Sequence, residues 1–203
     1  MELSEVGRGY PSVASVNLSA IARNLAVLRA ASPTTIQMAI VKANAYGHGL
    51  IPVALASLKA GAQWLGVAQL AEALELRAGL DEAGIARKDA PIFAWISSTG
   101  TDFSTAIEAD IDLSVSWMWV LDEICAAARA LGRPARVHVK IDTGMSRAGS
   151  TLADLPELAQ ALREAQDRGL IEIVGAWSHM SRADDPSPSG EESTRSHVKI
   201  FEE

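Results

Sequence analysis

The 203 residues are 48% hydrophobic, enough for one sizeable core and too few to make a second domain the expectation. Lysine and arginine total 18 against 25 aspartates and glutamates, a formal charge of −7 with no basic block longer than an isolated pair, which argues against a nucleic-acid partner and leaves room only for a local basic pocket. A single cysteine, Cys125, excludes an intrachain disulfide, and a start with Glu2 and Glu5 and no long apolar stretch reads as neither signal peptide nor membrane span, so a cytoplasmic protein is expected.

In chain order, residues 13–16 are a short apolar strand candidate. Ser19 is placed to cap a helix whose Ile21, Leu25 and Leu28 recur at intervals of four and three, a buried stripe. The apolar run predicts a strand over 36–41, with Asn44, Gly47 and Gly49 marking the turn beyond it, and a helix from about Pro52. Residues 64–67 form a strand, followed by an alanine- and leucine-rich helix ending at Gly79. The alternation continues with a strand over 92–95, a helix over 103–109, a strand over 111–115 and a helix over 117–131. A strand over 136–141, a helix over 155–168 and a strand over 171–176 complete it. Residues 181–196 read as a polar rim loop, and an amphipathic helix begins at Ser193.

Strand starts roughly 20 to 35 residues apart are the repeat of consecutive βα units with parallel pairing. The apolar character of the strands predicts that both sheet faces are covered. Six such units fit an open doubly wound sheet or part of a barrel. The absence of a glycine-rich dinucleotide fingerprint and the spread of polar candidates over several strand ends favour an incomplete (β/α)8 TIM-type barrel, whose full form needs about 250 residues. Strands seven and eight would be missing, which leads to the expectation that the chain is a fragment of a longer protein or a truncated gene product.

Chemistry-bearing residues gather at three predicted strand ends. Lys42 closes the strand over 36–41, where partial desolvation favours the neutral, nucleophilic amine, although a lysine that snorkels out of a strand end is an equal reading from position alone. The run Lys140, Ile141, Asp142, Thr143, Gly144, Met145, Ser146, Arg147 straddles the fifth strand end. There Lys140 and Asp142 share a face on which an ion pair is expected, and Arg147 offers a planar fork for a carboxylate or phosphate. Ser178, His179 and Met180 follow the sixth, where the histidine can stack on, or hydrogen-bond to, an aromatic ligand, a satisfied loop histidine being an equal reading in isolation. His48, Trp177 and Met145 read as packing or turn structure. Metal-ligand spacings, a nucleophile elbow and a phosphate-loop signature are not found, which removes most hydrolase and kinase readings.

At these sites the sequence resembles the alanine racemases. Val-Lys-Ala-Asn-Ala-Tyr-Gly-His-Gly at 41–49 matches their cofactor-lysine motif, Lys-Ile-Asp-Thr-Gly-Met-Ser-Arg at 140–147 a second signature, and Trp177, Ser178, His179 and Met180 with Ala183 and Asp184 a third. The likeness begins at Val16 and Asn17 and covers about the first half of a family member. It implies the family's amino-terminal barrel, partial over residues 1–203, with the carboxyl-terminal β domain absent. It also implies pyridoxal 5'-phosphate as cofactor and interconversion of L- and D-alanine, supplying D-alanine for peptidoglycan.

By the same resemblance, Lys42 would hold the cofactor as an aldimine and act as one of two proton-transfer bases, and Tyr46 would contact the phosphate. Arg147 would bind near the phenolic oxygen and the substrate carboxylate. Lys140, carbamylated in some members, would hold Arg147 in place, and His179 would lie by the pyridine ring. Ser146 departs from the glycine usual in the motif. The opposing base in the family is a tyrosine from the other subunit's carboxyl-terminal domain, so a homodimer is implied at full length, with the fragment alone inactive. Tyr10 and Tyr46 are the only tyrosines here. A single-domain pyridoxal-phosphate homeostasis protein, an amino-acid racemase of other specificity and a non-catalytic binding module remain the alternatives.

Overall fold

The computed structural model describes residues 12–33 and 35–203; the predicted features at Glu2, Glu5 and Tyr10 lie outside the described residues. The order is α1 (Leu18–Ala31), β1 (Met38–Ile40), α2 (Lys42–Tyr46), α3 (Leu50–Lys59), β2 (Trp64–Gln69), α4 (Leu70–Glu82), β3 (Ile92–Ile96), α5 (Phe103–Glu108), β4 (Ile111–Val115), α6 (Met118–Leu131), β5 (Ala135–Lys140), α7 (Leu155–Asp167), β6 (Ile171–Trp177) and α8 (Pro188–Glu202). The six strands form one sheet in the order β1-β2-β3-β4-β5-β6, every neighbouring pair parallel. Consecutive order, parallel pairing and alternating helices are six units of a (β/α)8 barrel.

The core lies between the sheet and its helices. Leu65, Ile92, Leu113 and Val137 on the strands meet Leu76, Leu80, Ile124 and Leu162 on α4, α6 and α7, all at most 2% exposed. The other sheet face departs from the expected apolar coverage. Phe93 and Trp95 of β3, Asp112 and Ser114 of β4, and Arg136, His138 and Lys140 of β5 occupy alternate positions. The buried Asp112 carboxylate accepts from Arg136 Nε at 2.9 Å and His138 Nε2 at 3.0 Å, so charge on that face is paired rather than excluded. Buried Arg77 of α4 donates to the carbonyls of Ala109, Ala90 and Asp110, tying the helix to the loops before β3 and β4.

Four expectations are corrected. Residues 13–16 form no strand: they have no sheet partner, and Val13 and Val16 are exposed. The cap of α1 is Asn17, whose side chain accepts from Ala20 N, rather than Ser19. Gly79 lies inside α4, which runs on to Glu82. The eighth helix starts at Pro188 rather than Ser193, because Ser187 Oγ accepts from Gly190 N at 3.2 Å and proline suits a first helical turn. The segment read as a rim loop is therefore half helix.

Candidate active site

Lys42 stands where β1 gives way to α2, and α2 is a left-handed turn. Ala43, Asn44, Ala45 and Tyr46 all have φ between 53° and 55°. Each non-glycine residue in this conformation costs about 1–2 kcal/mol, with asparagine the most tolerant. Bonds from Ala45 N to Val41 O (2.8 Å), Gly47 N to Ala43 O (2.9 Å) and Gly49 N to Asn44 O (2.9 Å) hold the turn, and the Asn44 side chain accepts from Leu50 N at 2.7 Å. His48 Nδ1 donates to Ala45 O, a turn role as expected.

A residue the sequence reading missed completes the arrangement. Glu72 Oε1 accepts from Ala43 N at 2.6 Å, while Oε2 accepts from Ala68 N and Gln69 N at 3.0 Å. One carboxylate thus caps α4 and anchors the residue next to Lys42. The spacing of Gln69 and Glu72 is a capping-box pattern visible in the sequence; the reach to Ala43 depends on the packing of β1 beside β2.

The loop after β5 closes on itself. Ser150 N donates to Lys140 O at 2.8 Å and Asp142 N to Ser150 O at 2.9 Å. Gly149, at φ +125°, lets the two backbones touch: an added Cβ would lie 2.6 Å from Asp142 N. Asp142 Oδ1 accepts from both Gly144 N and Ser146 N at 3.0 Å. The expected ion pair with Lys140 does not form, because these amides take the carboxylate. Burial alone would raise the Asp142 pKa, but the two backbone bonds and the Lys140 charge hold it below the usual carboxylate range. Lys140, 4% exposed, places Nζ 4.7 Å from the Trp177 ring centroid. Burial, then the nearby Arg147 charge, lower its pKa.

Ser146 has φ +53°. Replacing Ser146 with glycine removes a left-handed strain of about 1–2 kcal/mol and adds about 0.4–1 kcal/mol of unfolded-chain freedom. We expect Ser146→Gly to stabilise the protein by roughly 0.5 kcal/mol in urea unfolding, and Ser146→Val, β-branched at a positive φ, to destabilise it.

Lys42, Lys140, Arg147 and His179 line one cavity of about 330 Å³, with Trp95, Ser97, Ser114, Ser116 and Trp117 completing much of the wall. That size lies within the range of small-molecule sites, about 300–1,000 Å³. Tyr46 belongs instead to an adjoining cavity of about 230 Å³ that shares Lys42 and His179. It is exposed, with its ring 5.6 Å from Lys42 Nζ. Trp177 is packing, as expected, donating from Nε1 to Ser114 Oγ at 3.1 Å. Among the described residues, no carboxylate lies within ion-pair distance of Lys42, Lys140 or Arg147. The cavity is a cationic cup.

His179 feels that field. Burial first, then Lys140, Arg147 and Lys42, push its pKa down to about 4, so its ring is neutral at pH 7. The unfolded chain then binds more protons than the folded one between pH of about 4 and the ordinary 6.5, and stability rises with pH across that window. We expect His179→Phe to flatten this part of the stability-against-pH curve, measured by thermal unfolding; an unchanged slope would show that His179 does not carry it.

The cup suits the cofactor that the sequence resemblance implies. His179 Nδ1 is buried with no hydrogen-bond partner, and three uncompensated cations around aromatic walls fit a flat ring that bears a phosphate and a phenolic oxygen. Among the described residues, no group of three metal-ligating side chains occurs, and no helix is long and apolar enough to cross a membrane.

Comparison with known proteins agrees with the architecture. The family model described as alanine racemase, N-terminal domain, matches residues 16–203. The alanine racemase of Beutenbergia cavernae is 49% identical over 194 residues, 96% of this chain and 49% of that protein. The crystal structure of alanine racemase from D-cycloserine-producing Streptomyces lavendulae superposes with a TM-score of 0.82 at 47% identity, covering 91% of this chain and 46% of that one. The Clostridium difficile 630 alanine racemase, solved in complex with cycloserine, gives a TM-score of 0.77 at 30% identity over 92% of this chain and 49% of that one. The chain thus spans about half the length of the relatives it matches.

Proposed function

This chain belongs to the alanine racemase family, in its amino-terminal domain, and on that premise we propose that the protein it forms part of is a pyridoxal 5'-phosphate-dependent alanine racemase supplying D-alanine for peptidoglycan. The observation that carries the reading is the convergence of Lys42, Lys140, Arg147 and His179 on one cup. Bound pyridoxal phosphate would supply an electrophilic carbonyl and an electron sink for loss of the amino acid's α-proton.

Lys42 would be the residue that holds the cofactor, and its neutral amine would take or return the α-proton on its own face. Tyr46, on the same turn, offers its hydroxyl to the phosphate. The Arg147 fork binds the substrate carboxylate and the cofactor's phenolic oxygen. Lys140 supports Arg147. As an ammonium it repels the guanidinium, and burial first, then the Arg147 charge, lower its pKa; the carbamate that a deprotonated Lys140 amine would form with carbon dioxide has oxygens able to accept from Arg147. Neutral His179 packs on the ring without competing for the phosphate's counter-charge.

Racemisation also needs a proton delivered to the opposite face. Tyr46 shares the Lys42 turn and is badly placed for it. That base would come from the remainder of the protein or from a partner subunit, so a homodimer is part of the proposal and the 203 residues alone should not turn over usefully. The test is D-alanine formation from L-alanine by the full-length protein and by residues 1–203, with and without added cofactor. Cofactor-dependent turnover by the full-length protein alone is expected. No turnover at full length would sink the activity, and robust turnover by the shorter chain would sink the two-face argument.

A further inference from the structure

The buried imidazole of His197, on α8, has no part in the chemistry above, yet it touches two of the three segments that carry it, the loops after β5 and β6. Nδ1 lies 2.9 Å from Thr143 Oγ1, and Nε2 lies 3.0 Å from Ser181 Oγ and 3.5 Å from Ser181 N. Thr143 Oγ1 is 2.7 Å from Ser178 Oγ, which donates to Ile141 O at 2.8 Å. Gly144 packs on the ring, where an added Cβ would sit 3.4 Å from Cε1.

Counting protons gives this chain of bonds one direction. The Ser178 proton is committed to a carbonyl, so Ser178 accepts from Thr143. The Thr143 proton is then committed as well, so Thr143 accepts from the ring, and the proton sits on Nδ1. Nε2 is the acceptor that the Ser181 amide needs, since that amide can only donate. A neutral Nδ1–H imidazole satisfies every partner, whereas the other tautomer sets two donors against each other at Ser181.

We propose that His197 is a positioning residue: as the Nδ1–H tautomer it locks the 141–150 loop, which presents Arg147, to the 178–181 loop, which presents His179. The lock fixes the distance between the two groups that flank the cofactor, and this role rests on the function proposed above. Only Gly190 and His197 of α8 are buried, so the helix reaches the site chiefly through this ring.

The test uses the full-length protein. Nitrogen-15 shifts of the His197 ring, which need neither cofactor nor turnover, should show the proton on Nδ1; a proton on Nε2 overturns the assignment. His197→Leu should weaken pyridoxal phosphate binding about tenfold, the worth of one or two net hydrogen bonds, and raise KM for alanine more than it lowers kcat. His197→Gln, which keeps one acceptor and one donor, should restore both. Amide exchange at Ser146 and Ser181 should accelerate in the leucine variant while Leu113 in β4 stays protected. If that variant does not fold, Thr143→Val breaks the same chain of bonds at its middle and should give the same losses. Wild-type cofactor affinity and unchanged exchange in the leucine or valine variant would overturn the proposal. A wild-type protein that takes up no cofactor refutes the function instead, and the ring-proton and exchange measurements still decide the lock.

Discussion

Replacing Lys42 with alanine in the full-length protein is expected to abolish the borohydride-trapped cofactor adduct and to lower racemisation roughly ten-thousand-fold or more, since under the proposed roles nucleophile and proton-transfer base leave together. Lys140 cannot substitute. Its amine is buried and lies over the Trp177 ring, whereas Lys42 is half-buried at the start of the left-handed turn and lines both adjoining cavities. Lys42→Arg should fail nearly as badly, because a guanidinium is never deprotonated under these conditions and cannot act as the nucleophile. Since Lys42 has no ion-pair partner among the described residues, stability should stay within about 0.5 kcal/mol of the parent. An adduct undiminished in Lys42→Ala would reject Lys42 as the attachment point. Loss of adduct together with a collapsed thermal transition would assign the effect to the turn.

How much of this was legible beforehand varies with the physics of each element. The βα alternation was plain, because each strand pairs an apolar run with flanking turn residues; the β4 bounds, Ile111–Val115, were placed without error. Residues 13–16 failed because apolar character without a neighbouring strand does not make a strand. The inner sheet face is hard to infer from sequence, since a polar residue in a strand signals burial or exposure only once its partners are known, and Arg136 and His138 both find theirs in Asp112 of the neighbouring strand. Three of the candidate side chains were marked by position at strand ends. The left-handed turn was not legible, because nothing in two alanines, an asparagine and a tyrosine demands φ near +54°; a tertiary bond from Glu72 and a local one from Asn44 to Leu50 N hold it. His197 gave no local signal at all, since its role exists only once α8 lies across two loops that are distant in sequence.

Arg147→Ala should lower kcat/KM for alanine roughly a hundredfold or more, since two charge-assisted hydrogen bonds to a carboxylate are worth about 1.5–3 kcal/mol each. The loop is built before any ligand arrives: Asp142 clamps the amides of Gly144 and Ser146, and Ser150 is bridged to Lys140 and Asp142. Arg147 itself is exposed and free of any carboxylate partner among the described residues, so truncating it would remove the proposed ligand contact and leave the clamp standing. The thermal transition should therefore hardly move, while KM rises. Arg147→Lys separates charge from shape. It restores the field but offers a single ammonium where a planar fork stood, and is expected to recover about a tenth of the lost efficiency or less, given that bidentate geometry carries much of the energy. A lysine variant with parental kcat/KM would show that Arg147 acts as a distant charge. An alanine variant with parental KM would remove it from the carboxylate site.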